Sequence, residues 1–193
     1  MIAKKLLLTT THFTFLISII YLFNGFSHIT PVTAQVTPVV KATVVEIGKP
    51  KQLIIPSINI NTKIEHIGLT AEGAIGVPEG AINVSWFSAG PMPGQKGSAV
   101  ISGHSGIWKD GTHSIFDPLP NMKAGDIIYG KDDKGETLSF KVKAIRVYGK
   151  DETVPEIFNK SDRAYLNIIT CHGDYLPAQK TYSKRLVVFA EAT

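Results

Sequence analysis

A chain of 193 residues with 44% hydrophobic content buries one good core and is too short to need two. Its formal charge of +4 belongs to the leading segment: Leu53 to Thr193 carries 15 Lys+Arg against 15 Asp+Glu, whereas the first 52 residues hold Lys4, Lys5, Lys41, Lys49 and Lys51 against Glu46 alone. A neutral body argues against nucleic-acid binding, which needs a basic face, and the single cysteine, Cys171, rules out an internal disulfide.

At the amino end, Lys4 and Lys5 precede an uncharged stretch of 18 residues, Leu6 to Phe23, and the next charge is Lys41. By the positive-inside bias the amino terminus stays in the cytoplasm and the body crosses the membrane. Thr9, Thr10, Thr11, His12, Thr14 and Ser18 dilute the stretch, against the roughly 20 mainly apolar residues that a bilayer core requires. Val32 and Ala34 also supply small residues for a cut before Gln35. Residues 1–34 therefore read as either a retained signal anchor or a cleaved signal peptide. Residues 35–52, rich in Pro, Val, Thr and Lys, read as an extended linker, and 53–193 as the folded domain.

That domain reads as all-β. Strand-like runs fall at Gln52–Ile55, Ser98–Ser102, Asp126–Tyr129, Thr137–Val147, Tyr165–Thr170 and Leu186–Ala190, separated by turns of Gly, Pro and Asp. Leu138, Phe140, Val142 and Ala144 alternate with Ser139, Lys141 and Lys143, the period of a strand with one wet face, and Lys131 to Gly135 closes a hairpin onto it. One or two helical turns are expected at Ser114–Met122 and Val154–Ser161. Many short strands in so short a chain favour a closed barrel or sandwich, which leaves few edges to protect.

Three residues carry candidate chemistry. Cys171 ends the apolar run Leu166–Ile169, with Gly173 just beyond, so its thiol is expected half-buried on a rim; an inert core thiol is the alternative. In GSAVISGHSG, Gly97 to Gly106, a β-branched run ends at Gly103 and His104 follows, a second rim position. A thiol is a weak nucleophile near neutral pH until a base or cation activates it, and imidazole titrates in the range to do so. An ordinary loop histidine is the bland reading of His104. The other histidines fit less well: His172 adjoins the cysteine and points to the opposite face of a strand, His66 and His113 lie in polar turns, and His12 and His28 lie outside the domain. Arg185 opens the final run YSKRLVVFA; beside the cysteine strand its guanidinium can supply two donors to a developing oxyanion, and otherwise it is a solvated strand-end arginine.

Taken in order, LIIPSINI, GVPEG, WFSAGPMPGQKGSAVISGH, IFDPLPNMKAGDII, LNIITCHG and YSKRLVVFA span nearly all of Leu53–Thr193 and resemble the sortase family of cell-envelope cysteine transpeptidases. The segment from Trp86 to His104 is most similar to class F and related actinobacterial-type sortases. The resemblance implies a closed eight-stranded sortase-type β-barrel on a membrane-anchored, outward-facing enzyme, which favours retention of the leader over secretion after cleavage. It puts the nucleophile on Cys171, the general acid and base on His104, the oxyanion-stabilising arginine on Arg185, and a substrate-shaping threonine on Thr170, which is otherwise an ordinary strand threonine. It implies as partners surface proteins bearing an LPXTG-like sorting signal and an amine acceptor from a cell-wall precursor or pilin. No cofactor or metal is called for. Asp151, Glu152, Glu156 and Asp162 cluster where some relatives bind calcium, but their spacing matches no calcium loop and a solvated acidic loop is the simpler reading. Two alternatives stay open: a cysteine endopeptidase that mainly hydrolyses its thioester, and a non-catalytic envelope-binding β-module in which Cys171 is structural.

Overall fold

The computed structural model of the protein describes residues 46–193, so the expected leader and most of the expected linker lie outside the described residues. Eight strands, β1 (Pro50–Ile55), β2 (Ile60–Ile67), β3 (Val84–Phe87), β4 (Gly97–Gly103), β5 (Ile127–Asp132), β6 (Thr137–Gly149), β7 (Ala164–Leu176) and β8 (Thr181–Ala192), close into one barrel. Their order around it is β1-β2-β3-β4-β7-β8-β6-β5. The all-β, closed eight-stranded barrel that the resemblance implies is the fold of this chain. β1 starts at Pro50, so its first residues come from the end of the expected linker.

Neighbours are antiparallel except for β2 with β3 and β4 with β7. A parallel pair cannot be closed by a tight turn. The β2-to-β3 crossover, residues 68–83, is accordingly long, and the chain between β4 and β7 passes through β5 and β6. These long connections supply the loops that overhang the outer face.

Period-two alternation sorts side chains between two apolar layers. The interior holds Ala99 and Ile101 of β4, Leu166 and Ile168 of β7, and Leu186 and Val188 of β8, packed with fully buried Phe116 and Phe140. Each of these side chains other than that of Ala99 contributes about 1.5–3 kcal/mol by leaving water. The alternate positions, Val100, Ile169, Val187 and Phe189, form a second cluster outside the barrel, covered by Ile157 of the β6–β7 connection.

The structure departs from the sequence reading in four places. β2 and β3 were not expected. INTKIEHI mixes charge into its apolar positions and VSWF is only four residues long, so neither shows a sustained period. His66 thus lies in a strand, not a turn, edge-on to Trp86. No α-helix forms among the described residues. The one or two helical turns expected in Ser114–Met122 and Val154–Ser161 are present as the 3-10 turns Leu119–Asn121 and Pro155–Ile157, each with proline in its first turn, where a missing N–H costs nothing. β7 continues past Gly173, whose positive φ of 80° accommodates an irregularity in register between His172 and Tyr175. Cys171 is therefore within its strand, not at its end. Arg185 is likewise four residues inside β8. Finally, a register shift between Val142 and Ala144 moves Ala144 to the outer cluster and Ile145 to the interior.

Candidate active site

Alternation determines which face each candidate presents. Cys171 follows Ile169 by two residues along β7 and Arg185 precedes Val187 by two along β8, so both share the outer face with that apolar cluster. The register makes them direct partners, Cys171 opposite Arg185, and on the far side of β8 Arg185 is opposite Tyr148 of β6. On the other flank of β7, Ser102 of β4 is opposite Ile169. Two residues further along each chain come His104 and Cys171. β4 has ended at Gly103, but the chain stays against β7: the Thr170 hydroxyl donates to the Gly103 carbonyl at 2.8 Å, and the Ser105 hydroxyl donates to the Cys171 carbonyl. His104, Cys171, Arg185 and Tyr148 thus come from four consecutive strand paths of the barrel. His172 alternates to the other side of β7, opposite Lys184.

The thiol of Cys171 is half-buried and free. It borders a groove of about 530 Å³ whose walls include Val77, Ile157, Phe158, Ile169, Arg185 and Val187. That size is in the range of roughly 300–1,000 Å³ usual for ligand pockets. Val77 and Phe158 are exposed at its edge, so apolar surface is available to an extended chain laid across it. Tyr148 belongs to the wall formed by β6 and the β6–β7 connection, and Glu156 of that connection is its partner. Their side chains bond at 2.7 Å, and Arg146 pairs with the same Glu156 oxygen. The Tyr148 hydroxyl, helped by Arg146 against partial burial, holds Glu156 below the usual carboxylate range. Partial burial and that same bond hold the Tyr148 phenol up.

Arg185 is anchored along its own strand. Nη1 donates to the carbonyls of Tyr182 at 3.0 Å and Lys184 at 2.8 Å, and Nη2 donates to the Thr181 hydroxyl at 3.0 Å. A guanidinium has five N–H donors. Three are engaged, leaving the Nε hydrogen and one on Nη2 for another acceptor. His104 is held on two sides: Nε2 is 3.0 Å from the Pro78 carbonyl, and the ring packs against Trp108 with centroids 4.6 Å apart. Thr170 borders the groove, yet its hydroxyl is buried against Gly103. That side chain ties β7 to the residue before His104.

The remaining candidates lie elsewhere. His113 pairs with Asp117 at 2.9 Å, and the His66 ring bonds the Pro50 carbonyl. The four acids of the β6–β7 connection do not converge: Asp151 pairs with Lys150, Glu152 accepts from the Gly149 amide, Glu156 faces Tyr148, and Asp162 accepts from Tyr165. Among the described residues no group of three or more His, Cys, Asp or Glu is arranged to hold a metal ion. Sequence reasoning missed Pro78, Trp108 and Tyr148. For Tyr148 the alternation of β6 was the available signal, and the register shift after Val142 obscured it.

A closed barrel carrying a free thiol over an apolar groove is the form of a cysteine acyl-transfer enzyme. A model of the sortase domain matches residues 53–193, most of the chain, and the protein belongs to the sortase family of cysteine transpeptidases. No curated relative matches this chain. Among solved structures it is similar to sortase C-1 from Actinomyces oris, with 25% identity over 74% of this chain and 72% of that one and a TM-score of 0.55. Sortase A from Corynebacterium diphtheriae, as a lid mutant, shares the fold at 24% identity, covering 78% and 73% of the two chains with a TM-score of 0.58. A sortase D5 transpeptidase from Clostridium perfringens does so at 21%, covering 75% and 79%, with a TM-score of 0.56.

Proposed function

We propose that Cys171 is the nucleophile, His104 the general acid and base, and Arg185 the oxyanion partner of a sortase reaction on an LPXTG-like sorting signal. The observation that carries this reading is the register pairing of Cys171 with Arg185 on the groove face, with His104 on the adjoining strand path. The Cys171 thiolate attacks the threonine carbonyl of the signal. The tetrahedral oxyanion is met by the free donors of Arg185, and His104 as imidazolium protonates the departing amine. The C–N bond breaks and a thioester remains. An amine from a cell-wall precursor or pilin subunit then attacks the thioester while His104 takes its proton, releasing the thiolate and a new amide. Thr170 contributes by holding the two strands that carry these groups.

The charge pattern around Leu6–Phe23 supports an enzyme tethered by residues 1–34, spaced by the residues from 35 up to the start of β1 at Pro50, with its catalytic domain outside the membrane. The motif run from Trp86 to His104 supports a place near class F. The test is to incubate the chain with a library of LPXTG-like peptides, with and without an added amine, and to read the products by mass spectrometry. An acyl adduct on Cys171 that is resolved onto the amine is expected. Hydrolysed product alone, even at high amine, makes the protein an endopeptidase, and no adduct from any peptide together with full function of Cys171→Ala removes the catalytic reading.

A further inference from the structure

The Pro78 carbonyl has no proton to give, so the 3.0 Å contact with His104 requires the imidazole to donate from Nε2. The same peptide unit is held at its other end. The amide of Glu79 donates to Oε2 of Glu65 at 3.0 Å, and Oε1 of that carboxylate accepts from the Asn83 side-chain amide at 2.7 Å. Glu65 projects from β2. Pro78 is buried in the β2–β3 crossover, within the GVPEG turn.

We infer that Glu65 is a positioning residue for His104, acting through the Pro78–Glu79 peptide group: carboxylate to amide N–H, and carbonyl of the same amide to imidazole Nε2–H. This rests on the proposed role of His104. An amide whose N–H is bonded to a carboxylate has a more negative carbonyl oxygen, because consecutive hydrogen bonds polarise one another, and bonds to a charged acceptor are the stronger kind. The chain therefore holds the proton on Nε2 in the neutral ring and keeps Nδ1 as the only basic nitrogen. Nδ1 has no hydrogen-bond partner among the described residues. It gives a proton to the leaving amine and later takes one from the attacking amine, while Nε2–H stays bound throughout. In hydrolases with a triad, an acid contacts the histidine directly; here a peptide unit stands between the two.

The test uses the full-length chain with 15N-labelled histidine, reading the His104 tautomer by NMR at a pH where the ring is neutral, together with steady-state kinetics. The unmutated protein is expected to show the Nε2–H tautomer. Glu65→Gln keeps the shape and removes the charge. It is expected to give a mixture of tautomers and to lower kcat by about tenfold with KM little changed, a part of the roughly 10²–10⁴ that positioned proton transfer supplies. Glu79→Pro deletes the bridging N–H and is expected to do the same, which covers a Glu65→Gln chain that fails to fold. An Nδ1–H tautomer in the unmutated protein, or an unchanged tautomer and kcat in the folded variants, overturns the inference. An active His104→Ala overturns the role of His104 itself, whereas an inactive His104→Ala alongside an Nδ1–H tautomer overturns the Glu65 chain alone.

Discussion

Cys171 and Arg185 are cross-strand partners on β7 and β8, and the guanidinium is already tied back to Thr181, Tyr182 and Lys184 before any ligand arrives. A donor fixed beforehand costs no reorganisation when charge develops in front of it, which is why such groups dominate transition-state stabilisation. Arg185→Ala should lower kcat by roughly 10²–10³-fold with little change in thermal stability. Arg185→Lys should recover little of this, since one ammonium cannot hold three anchors and still present two donors. Steady-state kinetics on a reactive peptide, with melting curves as control, give the answer. A Lys variant as active as the parent would mean that only charge is used.

The Cys171–His104 side depends on close packing behind it. A methyl group at Gly103 would meet ring carbons of Phe116 at 2.5 and 2.6 Å, and Phe116 is fully buried. That ring cannot retreat without disturbing the core, so Gly103→Ala should cost about 1–3 kcal/mol of overpacking. The corresponding drop in Tm is roughly 3–10 °C. Because Gly103 immediately precedes His104 and accepts from Thr170, turnover should fall as well. A variant with unchanged Tm would show that the strand end moves freely, and calorimetry detects it.

Much of this arrangement was legible in the sequence, and the parts that were not have identifiable causes. Six strands announced themselves because runs such as Leu138–Val142 carry a period of two over enough residues to be seen. β3 was hidden by its length of four residues and β2 by Lys63 and Glu65 among its isoleucines. Cys171, His104 and Arg185 stood out as residue types. That Cys171 and Arg185 share a face, with the chain at His104 running alongside, could not be read, because it depends on the β7–β8 and β4–β7 registers. The partners of His104 were the least legible. Pro78 contributes a backbone carbonyl, which no side chain reports, and Glu65 acts through a peptide that belongs to neither residue's own strand neighbours.

The amino-terminal side of the barrel carries a pH-dependent clasp. Asp132, at the end of β5, accepts from the Gly48 amide at 2.8 Å on one oxygen and from the Lys134 and Glu136 amides at 3.0 and 2.8 Å on the other. Burial pushes this carboxyl up, but the bonds from Gly48, Glu136 and Lys134 outweigh it and hold it below the usual carboxylate range. A depressed folded pKa adds stability above the unfolded value, about 3.9 for Asp, and that stability is lost as the pH falls through the folded value. Asp132→Asn should therefore melt earlier at neutral pH and show a flatter decline below about pH 4. Melting curves of the two proteins that run parallel into acid would discount the clasp.

Trp108 packs against the imidazole of His104, with ring centroids 4.6 Å apart and planes tilted by 55°. It is carried on a small hairpin closed by its own amide bonding the Thr112 carbonyl at 2.8 Å, and by the Ile107–His113 bridge. Asp117 pins the base of that hairpin, accepting from the Gly106 amide and pairing with His113. The indole is only half-buried, so its removal opens no core cavity and should change Tm little. What it removes is the ring packed against His104, the proposed acid and base, and a catalytic group displaced by even an ångström loses rate steeply. Trp108→Ala should lower kcat by about tenfold, whereas Trp108→Phe, which retains a flat apolar face, should keep most of the activity. Cys171 acylation followed by rapid quench isolates the step in which, in the proposed mechanism, His104 first gives up its proton. The loss in Trp108→Ala is expected there, and equal acylation rates in the parent and the Ala variant would reduce Trp108 to a surface contact.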